Sequence, residues 1–399
     1  MALLRKQLSF SSSSFKSSRS TNIHYPLNSS HPPGTISEFV WKDYSPVLFR
    51  NIQELGDVNY DDYMISVCNH ENLLELTVRG SGKPFQVSHD DRFVIKTLRK
   101  SEAKVLLEML PSFYDHIQKY GNSLLAKYYG LHATRPGSGG TKIYFVVMEN
   151  LLRTELQIHK RYDLKGSSQG RSATKNGTQP ILALKDPEFD FCFYLNFSIQ
   201  SQILEQIKLD CKYLEEQGIM DYSLLLGIHV EQTRRDSEKG RPCHDPLQVQ
   251  NGMDRTQSEI VEPYHSRDPT FSHFFTTASA TEANRPNVTR FGAKIQARAV
   301  KVRQCVPKES NHSSSKLQDS KNVYLFLGII DFLQDYNVMK RLEHAYKSLH
   351  YDSKTISSVN PNFYATRFQD FLSKVFLVEE SSSPQPERLV IQKATSLQS

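Results

Sequence analysis

Apolar positions along this chain fall into distinct spacings, and the first of them begins near Ile36. The stretch FVWKDYSPVLFRNIQEL sets Phe39, Val47, Leu48, Ile52 and Leu55 at helical intervals around a break at Pro46, so folding is expected to start there. Over residues 84–98 the period shortens to two. Strand PFQVS, turn HDD and strand RFVIKTL predict a hairpin with Phe93 and Ile95 on one face and Val94, Lys96 and Leu98 on the other. Ser101 is placed to cap a helix running through Val105, Leu106 and Leu110, which Pro111 should stop. A strand KIYFVVMEN follows from Lys142.

The second half opens with the polar segment RYDLKGSSQGR and continues with a helix. Its apolar residues Ile199, Ile203, Ile207, Cys211 and Leu214 recur every three or four positions and end at Gly218. DYSLLLGIHV and VYLFLGIID are apolar runs, the first opened by Asp221 and the second closed by Asp331. Between about 231 and 320 the sequence is rich in Asn, Asp, Ser, Pro and Arg with little periodicity, which predicts a flexible insertion with one ordered piece over 290–302. There is no internal repeat.

Composition sets the boundaries. Residues 1–37 hold Arg5, Lys6, Lys16 and Arg19, several serine runs and no Asp or Glu, so 1–36 reads as a disordered basic tail. An organelle transit peptide has the same composition, and both readings stand. Residues 379–399 read as a second tail. With 399 residues, 38% of them hydrophobic, the remainder can bury one or two cores. The apolar run at 323–330 is far short of the roughly 20 residues that a membrane-spanning helix requires, so membrane contact would be peripheral. Five scattered cysteines without ligand spacing point to a reduced compartment and no structural zinc. The net charge of +6 is modest for this length and selects no partner.

A lysine inside a strand and carboxylates at two strand ends are what Mg²⁺ and a nucleotide triphosphate require. Lys96 would need an anion if buried, from a phosphate or from a carboxylate such as Glu102; it could equally be an edge lysine facing solvent. Asp331 suits a Mg²⁺ ligand, and Asp221 could orient a hydroxyl and accept its proton, although either could be a strand-end cap. Gly80 and Gly82 in RGSGKPF could let a loop lie over phosphates, or form an ordinary turn. In RYDLKGSSQGR, Asp163, Lys165 and Arg171 alternate with Gly166 and Gly170, which fits either a phosphate-contacting backbone or a surface turn.

Taken together, DRFVIKTL, RYDLKGSSQGR, MDYSLLLGIH and FLGIID resemble the phosphatidylinositol phosphate kinases, most closely the short plant-type phosphatidylinositol 4-phosphate 5-kinases that lack an N-terminal repeat region. The resemblance runs from about 38 to 376, skipping the insertion. It implies an α+β, two-lobed lipid-kinase fold related to protein kinases, with an antiparallel sheet in the N-terminal lobe. The domain would span 37–378, with lobes at about 37–150 and 151–378. It further implies ATP and Mg²⁺ as cofactors, Lys96 as the ATP-binding lysine, Lys165 as a second phosphate contact, Asp221 as the catalytic aspartate and Asp331 as the magnesium ligand. Protein-kinase signatures HRD, DFG and APE do not occur in order.

The segment YNVMKRLEHAYKSL puts Val338, Leu342, Ala345, Tyr346 and Leu349 on one helical face and Lys340, Arg341 and Lys347 toward the other. Three basic residues near an acidic leaflet are worth roughly 3 kcal/mol, a transient membrane attachment; packing on its own domain is the other reading. In the resembled family this is the activation loop. Its paired basic residues favour membrane engagement, and a glutamate, here Glu343, marks the 5-kinases where alanine marks 4-kinases. The implied partner is phosphatidylinositol 4-phosphate in an anionic membrane, reached from the cytoplasm at the plasma membrane, with no nucleic acid and a homodimer left open. A protein Ser/Thr kinase and a non-catalytic phosphoinositide-binding scaffold are the alternatives. Two departures from the family pattern are Lys83-Pro84 after the glycine-rich loop, where proline removes a backbone donor, and Glu149 near the expected adenine hinge.

Overall fold

The computed structural model describes residues 17–24, 38–68, 73–76, 85–137, 139–167, 183–231, 290–302, 320–336 and 359–379. Two seven-stranded sheets organise them. The first takes its strands from the chain before Asn150: β1 (Ser18–His24), β2 (Glu38–Tyr44), β3 (Leu73–Leu76), β4 (Phe85–Ser88), β5 (Phe93–Leu98), β6 (Tyr128–Pro136) and β7 (Ile143–Glu149). Their order is β1-β2-β6-β7-β5-β4-β3, and every neighbouring pair is antiparallel.

The period-two reading of the hairpin holds. Phe93 and Ile95 are buried on one face of β5, while Val94 and Lys96 are half-exposed on the other. Helices α1 (Pro46–Leu55) and α2 (Tyr60–Cys68) supply Leu48, Phe49, Ile52 and Tyr63 to the core cluster that contains Phe93.

Three expectations are corrected here. Phe39 belongs to a strand, not to the helical face; Pro46 starts α1 rather than interrupting it, as suits a proline whose missing N–H would be orphaned at a helix start. Helix α3 (Lys100–Lys119) begins one residue before Ser101 and runs straight through Pro111. Leu106, Leu110 and Phe113, all at 0% exposure, hold its apolar face on both sides of the proline, so burial outweighs the lost hydrogen bond. Within the expected tail 1–36, Ser18–His24 forms a strand although its sequence carries no apolar alternation. It is recruited by main-chain pairing along the whole of β2.

The second sheet comprises β8 (Lys160–Leu164), β9 (Leu184–Lys185), β10 (Phe191–Leu195), β11 (Ser223–Val230), β12 (Ile295–Lys301), β13 (Lys321–Ile330) and β14 (Phe376–Val378), ordered β14-β10-β12-β13-β11-β8-β9. β12 is the ordered piece expected within 290–302. Helix α4 (Phe197–Glu216) ends, as its periodicity requires, before Gly218, whose φ of 68° only glycine adopts without strain. It packs against α5 (Pro361–Val375), the last helix. The scattered cysteine spacing gave no sign of a disulfide, yet Cys192 on β10 is disulfide-bonded, while Cys211 is a buried free thiol. Among the described residues, no helix is long and apolar enough to cross a membrane.

Candidate active site

Strand pairing brings the predicted charges together. β11 runs antiparallel to β13 with Ser223 opposite Ile330, and antiparallel to β8 with Leu224 opposite Leu164. Asp221 before β11, Asp331 after β13 and Lys165 after β8 therefore emerge at one edge of the second sheet. Both aspartates have left-handed backbones, φ 64° at Asp221 and 62° at Asp331. That conformation is uncommon outside glycine and tolerated by aspartate, and it turns each carboxylate out of its strand direction.

Lys96 reaches this edge from β5 of the first sheet. Its Nζ donates to Asp331 Oδ1 at 2.5 Å, and Lys165 Nζ donates to the Asp221 carbonyl at 2.6 Å and to its Oδ1 at 2.7 Å. Each lysine is thus paired with one carboxylate. These four residues, with Leu98, Arg99, Glu102, Tyr128, Val146, Met148, Leu333 and Gln334, line a cleft of about 150 Å³ between the sheets.

Electrostatics fix the charge states. Burial alone would pull the Lys96 ammonium down, but the Asp331 carboxylate, with Glu102 and Asp163 further off, more than offsets it, and the lysine stands above its ordinary value. For Asp331, burial pushes the carboxyl up, and Lys96 with help from Lys165 drives it below the usual range. Lys96 is therefore held as the cation and Asp331 as the anion. Among the described residues no three His, Cys, Asp or Glu side chains form a metal cage. Mg²⁺ commonly takes only one or two carboxylates plus phosphates and water, so a single carboxylate, Asp331, fits a cation that arrives with a nucleotide.

Some sequence expectations change. Glu102 is not the hydrogen-bond partner of Lys96; it accepts from the Arg99 backbone N–H at 2.5 Å and from its guanidinium at 2.8 Å, capping α3. Asp163 lies outside the cleft lining and acts on Lys96 only through its charge. In DLKGS, the main-chain N–H groups of Lys165 and Gly166 are directed at the Asp186 carboxylate, at 3.0 and 2.7 Å, so these two donors are taken while the Lys165 side chain lines the cleft. Gly80, Gly82, Lys83, Pro84, Arg171, Lys340, Arg341 and Glu343 lie outside the described residues.

Glu149 now has a physical role. It pairs with Lys127 at 3.4 Å and with Arg290 at 3.5 Å, and Arg290 donates to the carbonyls of Phe291, Leu327 and Leu151. Sequence reading missed Arg290 because its partners are backbone oxygens, which no motif marks. It also missed Asp210. That carboxylate has 0% exposure and bonds His116 at 2.7 Å, Ser123 at 2.9 Å, the Leu124 N–H at 2.7 Å and Gln206 at 2.9 Å, tying α4 to α3 and to the loop before β6. A polar residue on the apolar stripe of α4 was its only signal.

An antiparallel-sheet lobe whose strand lysine meets strand-end carboxylates of a second lobe defines a phosphoryl-transfer cleft of the two-lobed kinase class. The profile of the phosphatidylinositol-4-phosphate 5-kinase family matches residues 67–375. The chain belongs to that family. It is 41% identical to phosphatidylinositol 4-phosphate 5-kinase 10 of Arabidopsis thaliana, over 88% of this chain and 93% of that protein. It is 40% identical to the putative phosphatidylinositol 4-phosphate 5-kinase 11 of the same plant, over 87% and 92%. Phosphatidylinositol 4-phosphate 5-kinase 1 of Oryza sativa subsp. japonica is 38% identical over 89% of this chain and 49% of its own length.

Proposed function

We propose that the protein transfers the γ-phosphoryl group of ATP to the 5-hydroxyl of phosphatidylinositol 4-phosphate, giving phosphatidylinositol 4,5-bisphosphate and ADP. The observation that carries this reading is the meeting of Lys96, Lys165, Asp221 and Asp331 in one cleft, in a chain of this family. An ammonium has three donors. Lys165 places two on Asp221 and Lys96 places one on Asp331, which leaves each lysine able to meet a phosphate oxygen.

In the assigned mechanism, Asp221 accepts the proton of the inositol hydroxyl as its oxygen bonds to the γ-phosphorus and the bond to the β–γ bridging oxygen breaks. Lys96 and Lys165 offset the charge of the phosphates, and Asp331 would hold Mg²⁺. When bound, such an ion would supply positive charge against the phosphates. Leu98, Val146, Met148 and Leu333 give the cleft an apolar wall against which the nucleotide base can lie.

Residues 37–150 and 151–378 are the two lobes in this reading, and Lys340 and Arg341 bring the protein to an anionic leaflet at the plasma membrane. Incubation with radiolabelled ATP and vesicles containing phosphatidylinositol 4-phosphate tests the whole scheme. Labelled bisphosphorylated lipid supports it; labelled protein instead would indicate a Ser/Thr kinase, and no label a binding scaffold. Because inositol hydroxyls are chemically alike, regiochemistry comes from which one is held in line, and Glu343 is assigned that role. Glu343→Ala should shift the preference between phosphatidylinositol 4-phosphate and 5-phosphate toward the latter by about tenfold or more, read from competing vesicles. Unchanged preference would remove the assignment.

A further inference from the structure

Side chains of four α5 residues, Tyr364, Arg367, Phe368 and Phe371, converge on the residues that flank the cleft. The Tyr364 hydroxyl donates to the carbonyl oxygen of Tyr222, the residue after Asp221. The Tyr222 ring, fully buried, sits edge-on to Tyr364 at 4.6 Å and to Phe368 at 5.1 Å. One turn along the helix, the Arg367 guanidinium lies 5.1 Å from the Tyr364 ring and in the field of both Asp186 and Asp221. A turn further, Phe371 covers Gly166, where an added Cβ would meet the Phe371 Cβ at 2.9 Å. Asp186 in turn holds the N–H groups of Lys165 and Gly166.

Asp221 has a left-handed backbone that its own strand does not impose. Such a conformation persists where the surroundings over-determine it. The carbonyl at Tyr222 is a fixed point one residue away, and a bond to it restricts how the Asp221 peptide unit can turn. The same helix restricts Lys165 through Gly166.

We propose that Tyr364 on α5 is a positioning residue for phosphoryl transfer, acting on Asp221 through the Tyr222 carbonyl, with Arg367 seated against the Tyr364 ring to hold it in place. The proposal rests on the assignment of Asp221 as the residue that orients the hydroxyl. α5 is the last helix of the domain and contributes no side chain to the cleft, so its part in the reaction is indirect. Neither residue lines the cleft, so ATP binding should not depend on them.

Tyr364→Phe removes one hydroxyl and keeps the ring in its stack. Turnover on phosphatidylinositol 4-phosphate vesicles should fall by about tenfold, a part of the 10²–10⁴ that a placed base supplies. The dissociation constant for a fluorescent ATP analogue should stay within about twofold, and Asp221→Asn should make the Tyr364→Phe change silent, because non-additivity is the mark of a residue acting through another. Full activity of Tyr364→Phe, or losses that multiply in the double variant, would overturn the proposal. If Tyr364→Phe lowers the melting midpoint by more than a few degrees, the same cycle with Arg367→Gln decides, and Arg367→Lys should recover part of the rate. An Asp221→Asn variant that keeps wild-type turnover would instead sink the role given to Asp221, and this proposal with it.

Discussion

At the scale of single residues, the chain shows what a carboxylate costs when no partner is built for it. Asp331 and Asp91 are both left-handed, yet Asp331 is held by Lys96 whereas Asp91, in the turn between β4 and β5, is 8% exposed with a buried Oδ1 that has no hydrogen-bond partner among the described residues. Burial, with the charge of Asp90 adding to it, pushes the Asp91 carboxyl up to about 6. The unfolded group titrates at 3.8, so the folded chain binds the extra proton between those values and stability falls as pH rises through that window. Above it the penalty is fully present, roughly 3 kcal/mol. Asp91→Asn keeps tolerance of the left-handed backbone and should raise the thermal midpoint at pH 7.5 by several degrees, with the gain gone below pH 4. A lower midpoint at pH 7.5 would contradict the reading. Asp331 has the opposite sign: its depressed carboxyl contributes stability above the unfolded value of 3.8, lost as pH falls through the folded one. Lys96, raised above 10.5, contributes below that value until pH climbs through its own.

At the scale of elements, α3, α4 and the loop before β6 are joined by one buried charge. Asp210 accepts or shares four hydrogen bonds at full burial, and the His116 ring stacks on Tyr213 at 4.4 Å beside it. Removing a buried charge's partners or the charge itself strands the rest, so Asp210→Ala should cost about 3–5 kcal/mol, and Asp210→Asn, which keeps a carbonyl acceptor, distinctly less. Urea denaturation of both variants checks this; equal losses would mean that the cavity and not the acceptor is what matters. The contrast with the rest of the fold shows what sequence carries. β5, β7, β11 and β13 were legible because each is an apolar run with a period, and Lys96, Asp221 and Asp331 were legible because each interrupts or ends one. Ser18–His24 was not, since its strand character comes from pairing with β2, and α3 outran Pro111 because its buried face lies on both sides of it. Asp186, which takes the backbone donors of DLKGS, gave no signal at all: its partner loop lies 20 residues away in sequence and meets it only once β8 and β9 pair.

At the scale of the whole molecule, the cleft depends on two sheets being held in register, and Arg290 is one of the residues that join them. Its guanidinium spans Glu149 at the end of β7 in the first sheet, the Leu151 carbonyl in the crossover and the Leu327 carbonyl in β13 of the second. Arginine alone among cations offers a planar fork that can satisfy acceptors from several segments at once. Burial draws its pKa down and Glu149 partly restores it, so the guanidinium and the carboxylate depend on each other for solvation. Arg290→Met should therefore leave Glu149, with a 16% exposed side chain, to the Lys127 ammonium and strip the Leu327 and Leu151 carbonyls of their donor, at a cost of about 2–3 kcal/mol, whereas Arg290→Met combined with Glu149→Gln should recover the part of that loss that comes from the carboxylate. Chemical denaturation of the two single variants and the double variant gives the coupling directly. If the losses simply add, the pair is not a unit and the tie between the sheets lies in the backbone acceptors instead. If they couple, Glu149 is explained by the arginine it holds, and the pair helps to keep Lys96 of one lobe within reach of Asp331 in the other.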